Sequence, residues 1–362
     1  VMSRFDNNLV VLGAGSAGLI AALIAATVRA KVTLVEKGAM GGDCLNTGCV
    51  PSKTLIRSAK IAHEMRTADR YGIGAVEPEV QFPAVMERVQ AAIRTIEPKD
   101  SMTRYRELGV DCIAGEAALE DAHHVRVGER VISTRSVVVA TGARPFVPPI
   151  PGLKEAGPLT SDNLWALREL PARLLVMGGG PIGCELAQAF QRLGSSVTLI
   201  DMESRLLPRE DPEVGEFMAE VLSEEGVDVR LNHRATQVGN KVLNADTPKG
   251  PVEIDFDEVL VAVGRRAFTE ELGLEALGIT FDGDGTIAVD DYLRTGCANV
   301  FACGDVVGPY QFTHMASHQA WYASVNALFG RVKEFKVNYS VVPWCPCRDP
   351  EIARVGLSEP DA

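Results

Sequence analysis

Several features are scarce in this chain, and each scarcity excludes a class of protein or of binding partner. The chain has no run of lysine or arginine, and its net charge is −12. The sequence therefore predicts neither a nucleic-acid partner nor an anionic-membrane partner. The longest clearly apolar run, residues 19–28, is too short to cross a bilayer, and residues 1–6 lack the pattern of a signal peptide. Eight cysteines follow no framework pattern, which is typical of a reducing compartment. We accordingly predict a soluble cytoplasmic protein.

A glycine-rich segment near the N-terminus has the order typical of a dinucleotide-binding unit. An apolar strand at 9–12 leads into Gly13-Ala14-Gly15-Ser16-Ala17-Gly18, an alanine-rich helix follows, and a strand at 31–35 ends at Glu36. The glycines permit a tight turn and close approach of a pyrophosphate to the helix N-terminus. Glu36 is placed to accept hydrogen bonds from a ribose hydroxyl.

The same order occurs a second time. A strand at 174–177 precedes Gly178, Gly180, Ile182 and Gly183, and the next strand, at 197–200, ends at Asp201. Two such units predict two dinucleotides. Asp201 favours the free 2′-hydroxyl of NADH over the phosphate of NADPH, although the nearby Arg205 keeps NADPH open.

Two cysteines separated by four residues lie between the first unit and a predicted helix. Pro51 suits the first position of that helix, and the helix dipole together with Lys53 would favour a thiolate at Cys49. On an ideal helix Cys44 and Cys49 would lie roughly 140° apart, so a disulfide requires a distorted backbone, which Asn46 and Gly48 tolerate. The spacing alone also fits a structural disulfide or two unrelated buried thiols.

The segment 41–53, GGDCLNTGCVPSK, resembles the redox-active disulfide motif of the class I pyridine nucleotide-disulfide oxidoreductases, which include dihydrolipoamide dehydrogenase, glutathione reductase and mercuric reductase. The resemblance implies an α/β fold with two doubly wound, Rossmann-like dinucleotide-binding domains, the flavin domain being discontinuous. It implies FAD on the first unit, a nicotinamide nucleotide on the second, and a Cys44–Cys49 disulfide with Cys49 against the flavin. It also implies a pair between Lys53 and Glu185 near the flavin N5, although Glu185 alone also fits a helix first-turn acid.

By the same resemblance, further segments contribute to the cofactor sites. The strand running into Thr141 and Gly142 would close the first domain, and Asp305 would bind the ribitol chain, although alone it also fits a turn acid. The residues that we predict to bind cofactors are Gly13, Gly15, Ser16, Ala17, Gly18, Glu36, Lys37, Gly42, Asp43, Lys53, Thr141, Gly142, Gly178, Gly180, Ile182, Gly183, Asp201, Gly264, Gly304 and Asp305.

Two further groups have metal-compatible spacing. His314 and His318 lie one turn apart on a predicted helix, and Cys345 and Cys347 form a C-x-C motif. We predict no metal site, because no third ligand lies near the histidines. For the second pair, incidental cysteines are favoured over a second dithiol or a soft-metal site.

Two features mark the predicted domain boundaries: a proline-rich connector at 145–151 and the later segments that resemble flavin-binding motifs. The predicted domains are the FAD-binding domain at 1–148, the NAD(P)-binding domain at 149–268, a second FAD-binding or central part at 269–338, and the start of a truncated dimerisation domain at 339–362. The family's C-terminal histidine motif does not occur in this sequence, and a homodimer is expected of the full-length parent.

The predicted function is electron transfer from NAD(P)H through FAD to Cys44–Cys49 and on to a small-molecule disulfide or Hg(II). Mercuric reductase and dihydrolipoamide dehydrogenase are the specific alternatives. An alternative of another class is a flavin-binding module with diaphorase activity only. A flavoprotein without a redox disulfide, such as a transhydrogenase, is disfavoured by the cysteine pair.

Overall fold

A computed structural model describes residues 5–345 and 349–358. Within these residues the helices are α1 Ser16–Thr27, α2 Gly42–Asn46, α3 Cys49–Arg66, α4 Phe82–Asp100, α5 Met102–Glu107, α6 Pro181–Leu193, α7 Pro212–Glu224 and α8 Thr313–Phe329, with short 3-10 turns at Ala68–Tyr71, Leu164–Ala166 and Glu275–Leu277. No helix in this described part is both long and apolar enough to span a membrane.

The strands in the same residues are β1 Asn7–Leu12, β2 Val32–Glu36, β3 Asp111–Ala114, β4 Ala117–Asp121, β5 His124–Val127, β6 Arg130–Val139, β7 Ala143–Pro145, β8 Arg173–Met177, β9 Ser196–Ile200, β10 Asp228–Arg230, β11 Arg234–Gly239, β12 Val242–Thr247, β13 Gly250–Asp255, β14 Glu258–Val261, β15 Arg265–Ala267, β16 Val300–Ala302, β17 Pro343–Trp344 and β18 Arg354–Val355. The chain divides into two compact units, and the first is discontinuous.

The first unit comprises the described residues up to 48, residues 93–144 and residues 266–339. Its sheet has the order β3-β2-β1-β6-β5-β4, with β16 also paired to β6. The strands β3, β2, β1, β6 and β16 run parallel, whereas β4 and β5 form an antiparallel hairpin on the first half of β6.

The central strand β1 is covered on both faces. Leu9 and Val11 belong to a core that includes alanines of α1 and α8, whereas Val10 and Leu12 belong to a second core on the opposite face. All four side chains are at most 1% exposed. Burial on both faces explains why this parallel strand is continuously apolar instead of alternating.

The second unit comprises residues 49–92 and 145–265 and the described residues from 340 onward. A parallel sheet of order β10-β9-β8-β14 carries the second glycine-rich loop, and β11, β12 and β13 form an antiparallel meander. Leu175 and Met177 of β8 share a core with Leu243 and Ile254 of the meander.

The fold is therefore mixed α/β with parallel, Rossmann-like sheets, as the sequence predicts. Two helix starts differ from the prediction. The helix after the cysteines begins at Cys49 instead of Pro51, and α6 begins at Pro181 instead of near Cys184. Both prolines still lie in a first turn, where no intrahelical partner for the missing N–H is needed. The domain boundaries drawn from the sequence stay a prediction.

Candidate redox and dinucleotide-binding site

The loop between β1 and α1 is held by a glycine and an acid. Gly13 has φ +95°, and a Cβ placed on it would lie 2.4 Å from the carbonyl oxygen of Ala140. Only glycine fits such a left-handed, closely packed position. The Glu36 carboxylate accepts hydrogen bonds from the backbone N–H of Ala14, at 2.6 Å, and of Gly38, at 2.7 Å.

The loop between β8 and α6 repeats this geometry in the second unit. Gly178 has φ +109°, and its added Cβ would lie 2.5 Å from the carbonyl oxygen of Ala262. The Asp201 carboxylate accepts hydrogen bonds from the N–H of Gly179 and, at 2.8 Å, of Glu203. The two predicted acids thus occupy equivalent positions.

Each loop opens a helix whose N-terminus suits a pyrophosphate. Gly15 and Gly180 are the N-cap residues of α1 and α6 and have no side chain to occupy the first helical N–H groups. Gly18 and Gly183 let each helix pack directly on its loop, because an added Cβ would lie 1.8 Å from the carbonyl oxygen of Gly13 or Gly178. Helix N-termini of this kind attract anionic groups. The residues present therefore fit one dinucleotide in each unit.

The segment before the first cysteine packs on the first of these loops. The Gly41 N–H donates to the carbonyl oxygen of Ala14 at 2.9 Å. A Cβ on Gly42, which has φ +57°, would lie 2.5 Å from the Cα of Gly15. Cys44 is therefore two residues from backbone that touches the predicted flavin pyrophosphate loop.

The two cysteines lie on successive helices. Cys44 lies in α2 and Cys49 is the first residue of α3, and both are half-buried. The break between the helices is fixed by Asp43, whose carbonyl oxygen accepts the N–H groups of Thr47 and Gly48. This break removes the ideal-helix geometry that would have separated the side chains. A disulfide between Cys44 and Cys49 stays a prediction.

Lys53 and Glu185 are brought together by the packing of α3 against α6. Lys53 Nζ lies 3.0 Å from Glu185 Oε2, and the two residues are 132 positions apart in the chain. The Glu185 side chain is 7% exposed, whereas that of Lys53 is 41% exposed. A buried carboxylate needs such a partner, so this contact constrains the register of the two helices.

The remaining predicted cofactor residues have more varied surroundings. Lys37 Nζ lies 3.5 Å from the centre of the Phe268 ring, and Thr141 Oγ1 donates to the carbonyl oxygen of Phe268 at 2.6 Å. The N–H of the buried Gly304 donates to Gln319 Oε1 at 2.7 Å. Ser16, Gly142 and Asp305 are partly buried, Ala17 is buried, and Asp43, Ile182 and Gly264 are exposed.

Two groups of polar side chains were not found by the sequence reasoning. Gln319 is fully buried and donates to the Tyr339 hydroxyl at 3.0 Å, and burial raises the pKa of Tyr339. Arg192 is 4% exposed and contacts two carboxylates. The sequence did offer one sign of the second group, because Arg192 is a charged residue on the buried face of the predicted helix α6.

The residues with metal-compatible spacing have other contacts. His318 Nε2 lies 2.9 Å from the carbonyl oxygen of Asn338, and His314 is exposed and stacks on Phe312. Cys345 is exposed, and Cys347 lies outside the described residues. Within the described part of the chain, no group of three or more His, Cys, Asp or Glu residues is arranged to hold a metal ion.

Two Rossmann-like units in one chain define a protein of the FAD- and NAD(P)-binding type. A family model described as pyridine nucleotide-disulphide oxidoreductase matches residues 7–320. The chain therefore belongs to this family, and membership implies FAD and a nicotinamide nucleotide as cofactors.

Named relatives agree with this assignment. Mercuric reductase of Bacillus cereus is 34% identical over 99% of this chain, and dihydrolipoyl dehydrogenase of Chlamydia trachomatis is 36% identical over 96% of it. The chain spans 57% of the first relative's length and 75% of the second's. The structure of the HOCl-induced flavoprotein disulfide reductase RclA from Escherichia coli, solved as a Cu(II) complex, matches with a TM-score of 0.85 and 30% identity, over 98% of this chain and 78% of RclA.

Proposed function

We propose that this chain carries the electron-transfer part of an FAD-dependent NAD(P)H:disulfide oxidoreductase whose redox-active pair is Cys44 and Cys49. The observation that carries the proposal is the packing of Gly41 and Gly42 on the first dinucleotide loop, at Ala14 and Gly15. A cysteine segment built onto a dinucleotide loop is suited to exchange electrons with a cofactor bound there.

The proposed residue roles follow from the local geometry. FAD, when bound, supplies the two-electron chemistry between the nicotinamide and the cysteine pair. The first loop would hold its pyrophosphate at the N-terminus of α1, and Glu36 would accept a hydrogen bond from its ribose. Lys53 and Glu185 would form a fixed charge pair at the reactive end of the flavin ring.

We assign the thiolate of the proposed redox pair to Cys49. It is the first residue of an 18-residue helix, whose N-terminal dipole stabilises a negative charge, and Lys53 follows one turn later. Reduction consumes the two electrons and the one proton of the hydride of one NADH, breaks the S–S bond, and leaves a thiol on Cys44 and a thiolate on Cys49. Cys44 would then attack the substrate disulfide, whose second sulfur leaves as a thiol.

We propose NADH as the preferred reductant. The Asp201 carboxylate lies where the adenosine ribose is expected and would repel a 2′-phosphate. Arg205 could pair with a 2′-phosphate and so keeps NADPH as the alternative; in this structure its guanidinium donates to the carbonyl oxygen of Pro208 at 2.9 Å.

A small-molecule disulfide is the proposed class of substrate, and Hg(II) is the second candidate. The name of the Bacillus cereus relative favours Hg(II), and a soft thiolate pair suits that ion. The net charge of −12 disfavours nucleic-acid and anionic-membrane partners, and the scattered cysteines favour a reducing compartment, so we propose a cytoplasmic protein. We propose a homodimer for the whole protein.

An anaerobic titration with NADH, followed by the visible spectrum of the flavin, tests the proposed function. We expect the first equivalent of NADH to leave the flavin oxidised and to produce a long-wavelength band, because the electrons would reside on the cysteines and a Cys49 thiolate would lie against the oxidised flavin. The Cys49→Ser variant should bleach directly, and NADPH should react more slowly than NADH. Direct bleaching of the unaltered protein would contradict the proposal and would favour a diaphorase module.

A further inference from the structure

A buried cluster of charges lies further along the contact between α3 and α6. Arg192 of α6 forms a bidentate ion pair with Glu225, in which Nε and Nη2 each lie 2.6 Å from a carboxylate oxygen. Arg192 Nη1 lies 3.1 Å from Asp349 Oδ2. The Arg192 side chain is 4% exposed and that of Glu225 is 11% exposed. We call Arg192, Glu225 and Asp349 the arginine cluster.

Asp349 is held to both helices at once. Lys60 of α3 donates to Asp349 Oδ1 at 3.3 Å. Gln188 of α6 donates to the Asp349 carbonyl oxygen at 2.6 Å and accepts the Asp349 N–H at 3.1 Å. Burial alone would raise the pKa of the Asp349 carboxyl, but Arg192 and Lys60 outweigh burial and hold it below its usual value.

The arginine cluster and the Lys53–Glu185 pair lie on the same faces of α3 and α6. Lys53 precedes Lys60 by seven residues, and Glu185 precedes Arg192 by seven residues. Seven residues are close to two helical turns, so both contacts lie on the same faces, about 10 Å apart along the axes. A shift of one helix along the other would disturb both contacts together.

Like charges would oppose this packing without Asp349. Lys60 of α3 and Arg192 of α6 both contact the Asp349 carboxylate, at Oδ1 and Oδ2 respectively, so the two cations lie on either side of it. Glu225 already forms its bidentate pair with Arg192. Asp349 supplies the carboxylate that lies between the Lys60 ammonium and the Arg192 guanidinium. Without it, these two partly buried cations would repel each other.

We propose that Asp349, acting through Arg192, is a positioning residue for the Lys53–Glu185 pair. It fixes the register of α3 and α6 in which the Lys53 ammonium meets the buried Glu185 carboxylate. The catalytic consequence rests on the proposed function, because Lys53 and Glu185 matter for turnover only if they serve the flavin. The positioning itself can be measured without turnover.

Chemical acetylation of the full-length chain tests this positioning. The rate of modification of the Lys53 amine is measured by peptide mass spectrometry relative to the exposed Lys154 in the same sample. Glu185→Gln gives the rate for Lys53 without its carboxylate partner. We expect Asp349→Asn to accelerate Lys53 modification about threefold, so that its rate approaches the rate in Glu185→Gln. An increase of this size corresponds to the loss of a partly exposed ion pair.

Three further variants separate positioning from general destabilisation. Asp228→Asn removes the carboxylate of an exposed pair with Arg230 in the same unit and should leave the Lys53 rate unchanged. Lys60→Gln added to Asp349→Asn should bring the rate back toward that of the unaltered protein, because it removes the like charge facing Arg192. If Asp349→Asn does not fold, Arg192→Lys serves instead, since lysine cannot reproduce the bidentate contact.

The outcomes are distinct for the two proposals. An unchanged Lys53 rate in Asp349→Asn, beside a raised rate in Glu185→Gln, would overturn the positioning role. In single-turnover reduction by NADH, Asp349→Asn should lower the rate at which the flavin absorbance changes. In protein that already carries Lys53→Met, adding Asp349→Asn should not lower this rate further. Absence of any NADH-driven reduction would contradict the proposed function while leaving the acetylation result intact.

Discussion

Gly13 and Gly178 hold corresponding backbone positions in the two units, and Glu36 and Asp201 hold corresponding side-chain positions. The order of strand, glycines, helix, strand and acid predicts all four from the sequence. The hydrogen bonds of the two acids to the N–H groups of their own loops could not be predicted, because they depend on how the loop folds back toward the second strand.

Substitution of the loop glycines separates the roles of the two units. Gly13→Ala should lose most of its bound FAD, because the new Cβ would overlap the carbonyl oxygen of Ala140 in addition to about 1–3 kcal/mol of backbone strain. Gly178→Ala should keep the flavin and lose its reduction by NADH. Flavin content measured by absorbance, and the rate of bleaching by NADH, report the two losses.

Gly109→Ala is the matched control for Gly13→Ala. Gly109 has φ +91° and no heavy atom within 4 Å of an added Cβ, so it carries the backbone strain without the collision. Its flavin content should equal that of the unaltered protein. Equal flavin loss from Gly109→Ala and Gly13→Ala would mean that strain, not the close approach at the loop, governs binding.

At the scale of elements, helix existence was predictable and helix starts were less so. The sequence predicts α8 over the range that the structure shows, because its pattern is uninterrupted from Thr313 to Phe329. The start of α3 is two residues earlier than Pro51 suggests, since proline is accepted throughout a first turn. Cys49 therefore belongs to the helix itself, which strengthens the dipole argument for its thiolate.

The contact between α3 and α6 should weaken in acid through His63. Burial lowers the pKa of His63 and the nearby Arg192 lowers it further, whereas Glu225 and Asp349 oppose the shift and Arg70 adds to it. The folded protein then binds this proton less readily than the unfolded chain, so stability falls as the pH drops below about 6.5 toward the folded pKa.

His63→Gln should remove that contribution. Between pH 7.5 and pH 5.5, the Tm of the unaltered protein should fall by about 1–2 °C more than that of His63→Gln, since solvent screening limits the effect at a half-buried site. Thermal unfolding at the two pH values measures the difference. Parallel losses of Tm in the two proteins would show that His63 does not contribute.

At the scale of the whole molecule, two dinucleotide units and one cysteine segment were visible in the sequence, whereas the arginine cluster was not. Arg192, Glu225 and Asp349 come from three separate stretches of the chain, and only the packing of α3 on α6 gives them a common position. Residues 339–362 were predicted to begin a dimerisation domain, and within their described part Asp349 contacts the helices that carry Lys53 and Glu185.

The central claim is that electrons from NADH reach the pair Cys44 and Cys49. The measurement that tests it most directly is thiol alkylation mapped by mass spectrometry, before and after one equivalent of NADH under anaerobic conditions. We predict that Cys44 and Cys49 are both protected before NADH and both modified after it. The buried Cys303, whose pKa is raised by burial to about 12, should stay unmodified throughout and serves as the internal reference. Modification of Cys44 and Cys49 before NADH, or continued protection after the flavin has been reduced, would contradict the account.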